Sequence, residues 1–232
     1  MFAISIDELL DYYVCSHRLT FSKEKELSTF SDIKIYINRH LLNHCFLLSI
    51  NDQKINITKL DQKLNYIWND IKNKATYQPT LKEKLLLKSK VKTISTNFSS
   101  IESVEHFNIP RIIEYNDVSL IYFYTKYYSN GKAYSLVNIE KNYSMLNENS
   151  SIIKLLMNLI YYNLKQDTEV VLFKEYTGEL MYKVLLEKEE VYKSYKNITE
   201  GIKQKLFYPK AEYMSCIGCE HNKKCSWNIN KK

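Results

Sequence analysis

The chain has 232 residues, of which 45% are apolar, and 33 Lys and Arg outnumber 26 Asp and Glu for a formal charge of +7. That length buries a proper core, while four glycines and three prolines argue against long disordered linkers. The longest apolar run, Ile152 to Tyr162, is interrupted by Lys154 and Asn158 and is too short for a bilayer, so the expectation is a soluble, cytoplasmic protein with no membrane partner.

The chain is expected to open with a helix capped by Ser5 or Asp7, with Leu9, Leu10, Tyr13 and Val14 as its apolar face and Cys15 near its end. A second helical stretch runs from about Ser31 to Leu48 and carries Arg39, His40, His44 and Cys45. A third runs from Thr58 to about Lys74, with Leu60, Leu64, Ile67, Trp68 and Ile71 at helical spacing. From Thr80 to Ser95 lies a basic helix in which Lys82, Lys84, Lys88, Lys90 and Lys92 alternate with leucines. Those lysines form either a solvated face or a phosphate-contacting one.

After Ser100 the pattern changes to strands. Phe107 to Tyr115, Val118 to Tyr128 and Ala133 to Asn142 are aromatic and β-branched, and Asn130-Gly131 between the last two is a strong hairpin turn. The reading is a three-stranded meander. A helix follows from Ser150 to Leu164, then strands at Glu169 to Phe173 and Glu179 to Leu186, then a polar helix around Glu189 to Lys205.

Beyond it, Cys216, Cys219 and Cys225 form a C-x2-C-x5-C run, with Gly218 relaxing the tight turn. Nothing at the N-terminus reads as a signal peptide and the five cysteines are an odd number, so disulfides are not expected. Three cysteines in ten residues point instead to a metal centre. Cys15, Cys45 and His221 are the candidates for a fourth ligand, and spacing alone leaves zinc and iron–sulfur open.

Taken together, these features resemble the iron–sulfur branch of the PD-(D/E)XK nucleases, the RecB-like family that includes the CRISPR-associated iron–sulfur exonucleases and the AddB nuclease domain. The stretch from Ile4 to Leu19, with one cysteine followed by a basic residue, is similar to that family's opening helix. The C-x2-C-x5-C ending after Phe207-Tyr208-Pro209 is similar to its closing motif, and the strand–hairpin–helix–strand order fits its core. The resemblance implies a mixed α/β restriction-endonuclease-like core as a single domain over 1–232, with a helical insertion at 31–95 and a cysteine cap at 207–232 closing on Cys15. It implies that Cys15, Cys216, Cys219 and Cys225 hold a [4Fe–4S] cluster, with zinc as the alternative. The partners it implies are DNA, cut as single strands or at ends by an exonuclease-type repair or CRISPR-associated enzyme, and a helicase or integrase-type protein.

The catalytic motif fits less well. Cleavage in such a fold needs Mg²⁺ or Mn²⁺ on hard oxygen ligands and a lysine near the attacking water. The best superposition of the family's acid-x-Lys strand places Asn138 at the acid and Glu140 at the lysine. Shifting the frame makes Glu140 the acid and metal ligand, with adjacent Lys141 pointing to the opposite face. A two-residue turn at Asn130-Gly131 would set Phe123 opposite Asn138 and Ile121 opposite Glu140, neither of them a carboxylate. Asp117 is too far along the strand, and Glu105 and Glu114 would need a register slip. Asn158 to Tyr162 stands where the family has Gln-Leu-x-x-Tyr, and His44 is a weak match to its N-terminal histidine. The expectation is therefore a nuclease fold with an eroded metal site: either a nuclease using Glu140 and Lys141, or a pseudo-nuclease that binds DNA or a protein without cutting.

Overall fold

A computed structural model describes residues 2–16, 18, 27–115, 117–139, 146–147, 149–165, 168–175, 177–183, 185–207, 219 and 225. A strand β1 (Phe2–Ser5) leads into α1 (Ile6–Cys15), followed by α2 (Phe30–Ile50), α3 (Ile57–Lys74) and α4 (Leu81–Phe98). The strands β2 (Ile101–Tyr115), β3 (Val118–Ser129) and β4 (Lys132–Ile139) come next. The chain then runs through α5 (Ser151–Asn163), β5 (Glu169–Lys174), β6 (Glu179–Tyr182) and α6 (Lys188–Lys203).

Local chemistry sets most of these boundaries. Capping boxes open three helices: Ser5 with Glu8, Thr29 with Asp32 and Thr80 with Glu83 each satisfy two orphan backbone donors reciprocally. Asn56 caps α3 by accepting from the Lys59 N–H. Asn130 and Gly131 both take positive φ, at 51° and 70°, as the tight turn of the β3–β4 hairpin demands. Its register runs from Ser129 opposite Lys132 to Tyr124 opposite Val137, the alignment expected from a two-residue turn.

The sheet order is β1-β3-β4-β5-β6, with β2 paired to the other side of β3. β2, β3 and β4 form an antiparallel meander; α5 then crosses over so that β5 lies parallel to β4, and β6 returns antiparallel. Parity along the strands sorts side chains into two cores. Leu120, Tyr122, Val137, Ile139, Val170 and Leu172 join α1, α5 and α6 on one face. Tyr127, Leu136, Val171 and Phe173 join α2, α3 and α4 on the other. The architecture is a mixed six-stranded sheet with a helical layer on each face, and β5 is buried on both sides, which accounts for its unbroken apolar run.

Four expectations are corrected. A four-residue strand, too short to show a period, precedes the first helix and pairs in parallel with Val118–Ile121. Tyr13 is not part of the apolar face of α1; its exposed ring hydrogen-bonds through its hydroxyl to Ser151 at 2.6 Å. β2 starts at Ile101, six residues earlier than expected, because three register shifts carry it past the polar positions that hide its alternation. β6 stops at Tyr182 instead of reaching Leu186, whose backbone is taken by α5: its N–H donates to Asn158 Oδ1 at 3.0 Å and its carbonyl accepts from the Tyr162 hydroxyl at 2.7 Å.

On the first face, α6 packs against α1 at Gly201, where an added Cβ would overlap the Tyr12 hydroxyl. Gly201→Ala is expected to destabilise the fold by about 1–3 kcal/mol, as overpacking does. Chemical denaturation should show that cost, and a Gly201→Ala/Tyr12→Ala double variant should lose less than the sum of the two singles.

Candidate functional site

β3 is longer than either neighbour on its inner edge. β4 leaves it after the Tyr124–Val137 pair, and β1 takes over along Val118–Ile121. A fork opens between them. Past it, Asn138 and Ile139 pair only with β5, opposite Phe173 and Lys174. Phe123, which the hairpin register would place against Asn138, is half exposed.

Asn138 shares strand parity with Leu136, so it belongs to the sheet face covered by α2. There the sheet and α2 are joined by polar contacts. The Glu175 N–H donates to the Ile139 carbonyl at 3.2 Å, which extends the β4–β5 ladder by one bond. The Glu175 carboxylate is buried and is forked by Arg39 of α2, with Nη2 at 2.9 Å and Nε at 3.0 and 3.2 Å. Beside Arg39, Asn38 donates its amide to the Glu175 carbonyl. A carbonyl can only accept, so this bond fixes which way the Asn38 amide faces. Its Oδ1 is then a buried acceptor without a partner, and the Asn138 Oδ1 is another.

This face of the sheet therefore carries buried amide oxygens and a carboxylate that is already paired with a guanidinium. Amide oxygens are hard donors, but they carry no net charge to attract a divalent cation. Among the described residues on this face, Mg²⁺ or Mn²⁺ would have to compete with Arg39 for Glu175 to gain an anionic ligand. These described donors do not fit a catalytic divalent site.

Of the other carboxylates weighed from the sequence, Glu105 and Asp117 are occupied elsewhere. Glu105 holds Lys126 at 2.7 Å and accepts from the Tyr128 hydroxyl at 2.9 Å, contacts that keep its pKa low, Lys126 foremost. Glu114 is exposed opposite Ser119. Asp117 is held by Lys203 at 2.7 Å, which lowers its pKa, and it precedes Tyr124 by roughly 24 Å of extended strand. Glu140 and Lys141, the acid and lysine expected at this strand end, lie outside the described residues, which stop in β4 at Ile139.

Two further matches take structural roles. Asn158 and Tyr162, in the place of Gln-Leu-x-x-Tyr, clamp Leu186 from one turn of α5, and Asn158 also donates to the Lys154 carbonyl at 2.8 Å. His44 lies beside Lys59 and Lys63, and burial followed by those two cations pushes its pKa down. It belongs to the α2–α3 side of the layer.

Of the cysteines, Cys45 is fully buried in the helical layer of α2, α3 and α4. Burial pushes its thiol up to about 12, which disfavours the thiolate a metal requires. Cys15 ends α1 on the opposite side of the sheet and is half-buried, as are Cys219 and Cys225. The Phe207 ring beyond α6 meets Tyr12 of α1 edge-on at 6.2 Å, so the approach to the cysteine run passes within one helical turn of Cys15. That placement suits a centre joining both ends. Cys216 and His221 lie outside the described residues, and among the described residues no group of three or more metal-ligating side chains converges.

No protein-family model matches the chain, and no curated protein matches it either.

Arg39→Met is expected to cost about 3–5 kcal/mol, because it strands a buried carboxylate, and Glu175→Gln/Arg39→Met should recover part of that in a double-mutant cycle. At pH 8 iodoacetamide should leave Cys45 unmodified in the native protein and label it on unfolding, read by mass spectrometry.

Proposed function

We propose that this protein is a non-cutting relative of the PD-(D/E)XK nucleases that binds DNA through a fold whose metal site has been replaced. The order of meander, crossover helix and parallel strand supports the architectural half of this reading. The observation that carries the functional half is the Arg39–Glu175 pair beside Asn138. An amide stands at the acid position, and the nearest buried carboxylate is already matched by a fixed positive charge. The protein's own guanidinium takes the electrostatic role that a divalent ion has in an active member.

DNA affinity would come from phosphate contacts to lysines in a chain of net charge +7 and from stacking on some of its 20 tyrosines. A helicase or integrase-type protein is the complementary partner for such a module, supplying the catalysis that it lacks. The cysteine cap belongs to the same proposal. Cys15, Cys216, Cys219 and Cys225 would hold a [4Fe–4S] cluster that ties the two ends of the chain together, adding folding free energy without entering a hydrolytic step. The packing of Phe207 on Tyr12 and the burial of Cys45 both favour Cys15 as the fourth thiolate.

Pure protein mixed with labelled single-stranded and duplex DNA and Mn²⁺ should retard the DNA in a salt-sensitive manner and yield no products. Cleavage that disappears in a Glu140→Ala variant would overturn the non-cutting reading and restore Glu140 as a metal ligand. Anaerobically purified protein should be brown and contain iron. Cys15→Ser should bleach it and lower Tm, whereas colourless protein with stoichiometric zinc would replace the cluster with the alternative ion.

A further inference from the structure

One face of α4 is buried by Leu87, Val91, Ile94 and Phe98, each essentially inaccessible. At 100° per residue the opposite face is centred on Lys82, Leu85 and Ser89. That outer face mixes polar residues with three leucines that a fully solvated helix would not carry: Leu81 is 75% exposed, Leu85 61% and Leu86 49%. The three fall within less than two turns.

Around them the charge has one sign. Lys82, Lys84, Lys88 and Lys92 are exposed, Lys90 is half-buried, and none is in a salt bridge. Lys34 of α2 lies close enough to Lys90 that, after burial, this like charge is the second influence pushing its pKa down. The helix has one carboxylate, Glu83, and it is committed to the Thr80 cap and to the Tyr77 hydroxyl at 2.8 Å. Lys84 rests over the Trp68 ring at 5.7 Å, and the remaining lysines ring solvent-facing leucines in a pattern complementary to an occupant that is both apolar and anionic.

We propose that the outer face of α4 docks an amphipathic helix of a partner protein, with aliphatic anchors seated on Leu81, Leu85 and Leu86 and flanking carboxylates paired with Lys82, Lys88 and Lys92. Nucleic acid would satisfy the lysines and leave the leucines in water. A bilayer surface needs a broader apolar face than three side chains on a helix already committed to a core. The length of the leucine patch suits one crossing helix, recognised by anchors at helical spacing. The proposal is independent of the DNA-binding reading, because it concerns the face of the helical layer turned away from the sheet.

The test uses the full chain and a labelled synthetic helix of about 18 residues with leucines at i, i+3, i+4 and i+7 and glutamates on either side. Fluorescence anisotropy should show binding that weakens with salt. Leu85→Glu and Lys88→Glu should each weaken it by about tenfold or more with Tm unchanged, since both side chains are exposed. A peptide of the same composition in scrambled order should not bind. Equal binding of the scrambled peptide, or insensitivity to both substitutions, would overturn the proposal. So would co-sedimentation with vesicles of mixed phosphatidylcholine and phosphatidylglycerol that depends on the same two residues, or displacement of the peptide by a single-stranded oligonucleotide.

Discussion

A single buried carboxylate joins the two halves of this molecule. Glu175 leaves the end of β5 with its N–H on the neighbouring strand, its carbonyl on Asn38 and its oxygens on Arg39. The first bond holds the residue in the sheet, and the other two contacts tie it to α2 and so fix the helical layer at a defined height. Packing of Phe46, Phe98 and Phe173 supplies adhesion between those layers, but apolar contact is non-directional and would tolerate sliding. A forked ion pair is directional: the Glu175 end is buried while Arg39 reaches it from a half-exposed position, so a shift weakens two aligned bonds at once. At the strand end the same pair sets the charge balance, since the buried carboxylate described there is already matched by a guanidinium.

Much of the scaffold could be read from the order of residues, for reasons that are local. Helices α2, α3 and α4 announce themselves by side chains three and four apart, and three of the six helices begin at a Ser or Thr answered three residues later by an acid. The β3–β4 register follows from one dipeptide, since Asn130-Gly131 admits one tight turn and counting outward does the rest. What could not be read was made by distant pairings. The parallel partnership of Phe2–Ser5 with Val118–Ile121 has no local signature, and four residues are too few for alternation to show.

The site was the least legible part. Asn38 and Arg39 meet Glu175 across more than 130 positions, and the intervening chain holds no motif that ties them together. Sequence reasoning concentrated on carboxylates near the hairpin and passed over Glu175, which follows a strand and looks like an ordinary surface acid. The available signal was indirect: an arginine beside an asparagine in the middle of an otherwise apolar helical stretch needs an acceptor somewhere. Asn158 and Tyr162 show the opposite error. Their spacing suggested chemistry, yet Asn158 Oδ1 and the Tyr162 hydroxyl hold one loop residue in place.

β2 carries a quieter consequence. It is the longest strand, and one of its sides pairs with no other described strand. Its progress is broken by three register shifts, by Asn108 turned to a positive φ with its N–H spent on Thr125, and by Pro110, which has no N–H to offer. The first half of that border is therefore irregular, and regular pairing geometry is confined to the stretch from Ile109 to Tyr115, so a foreign strand has only that short length to zip on. The irregularity that delayed recognition of the strand is also what shortens the border it leaves open.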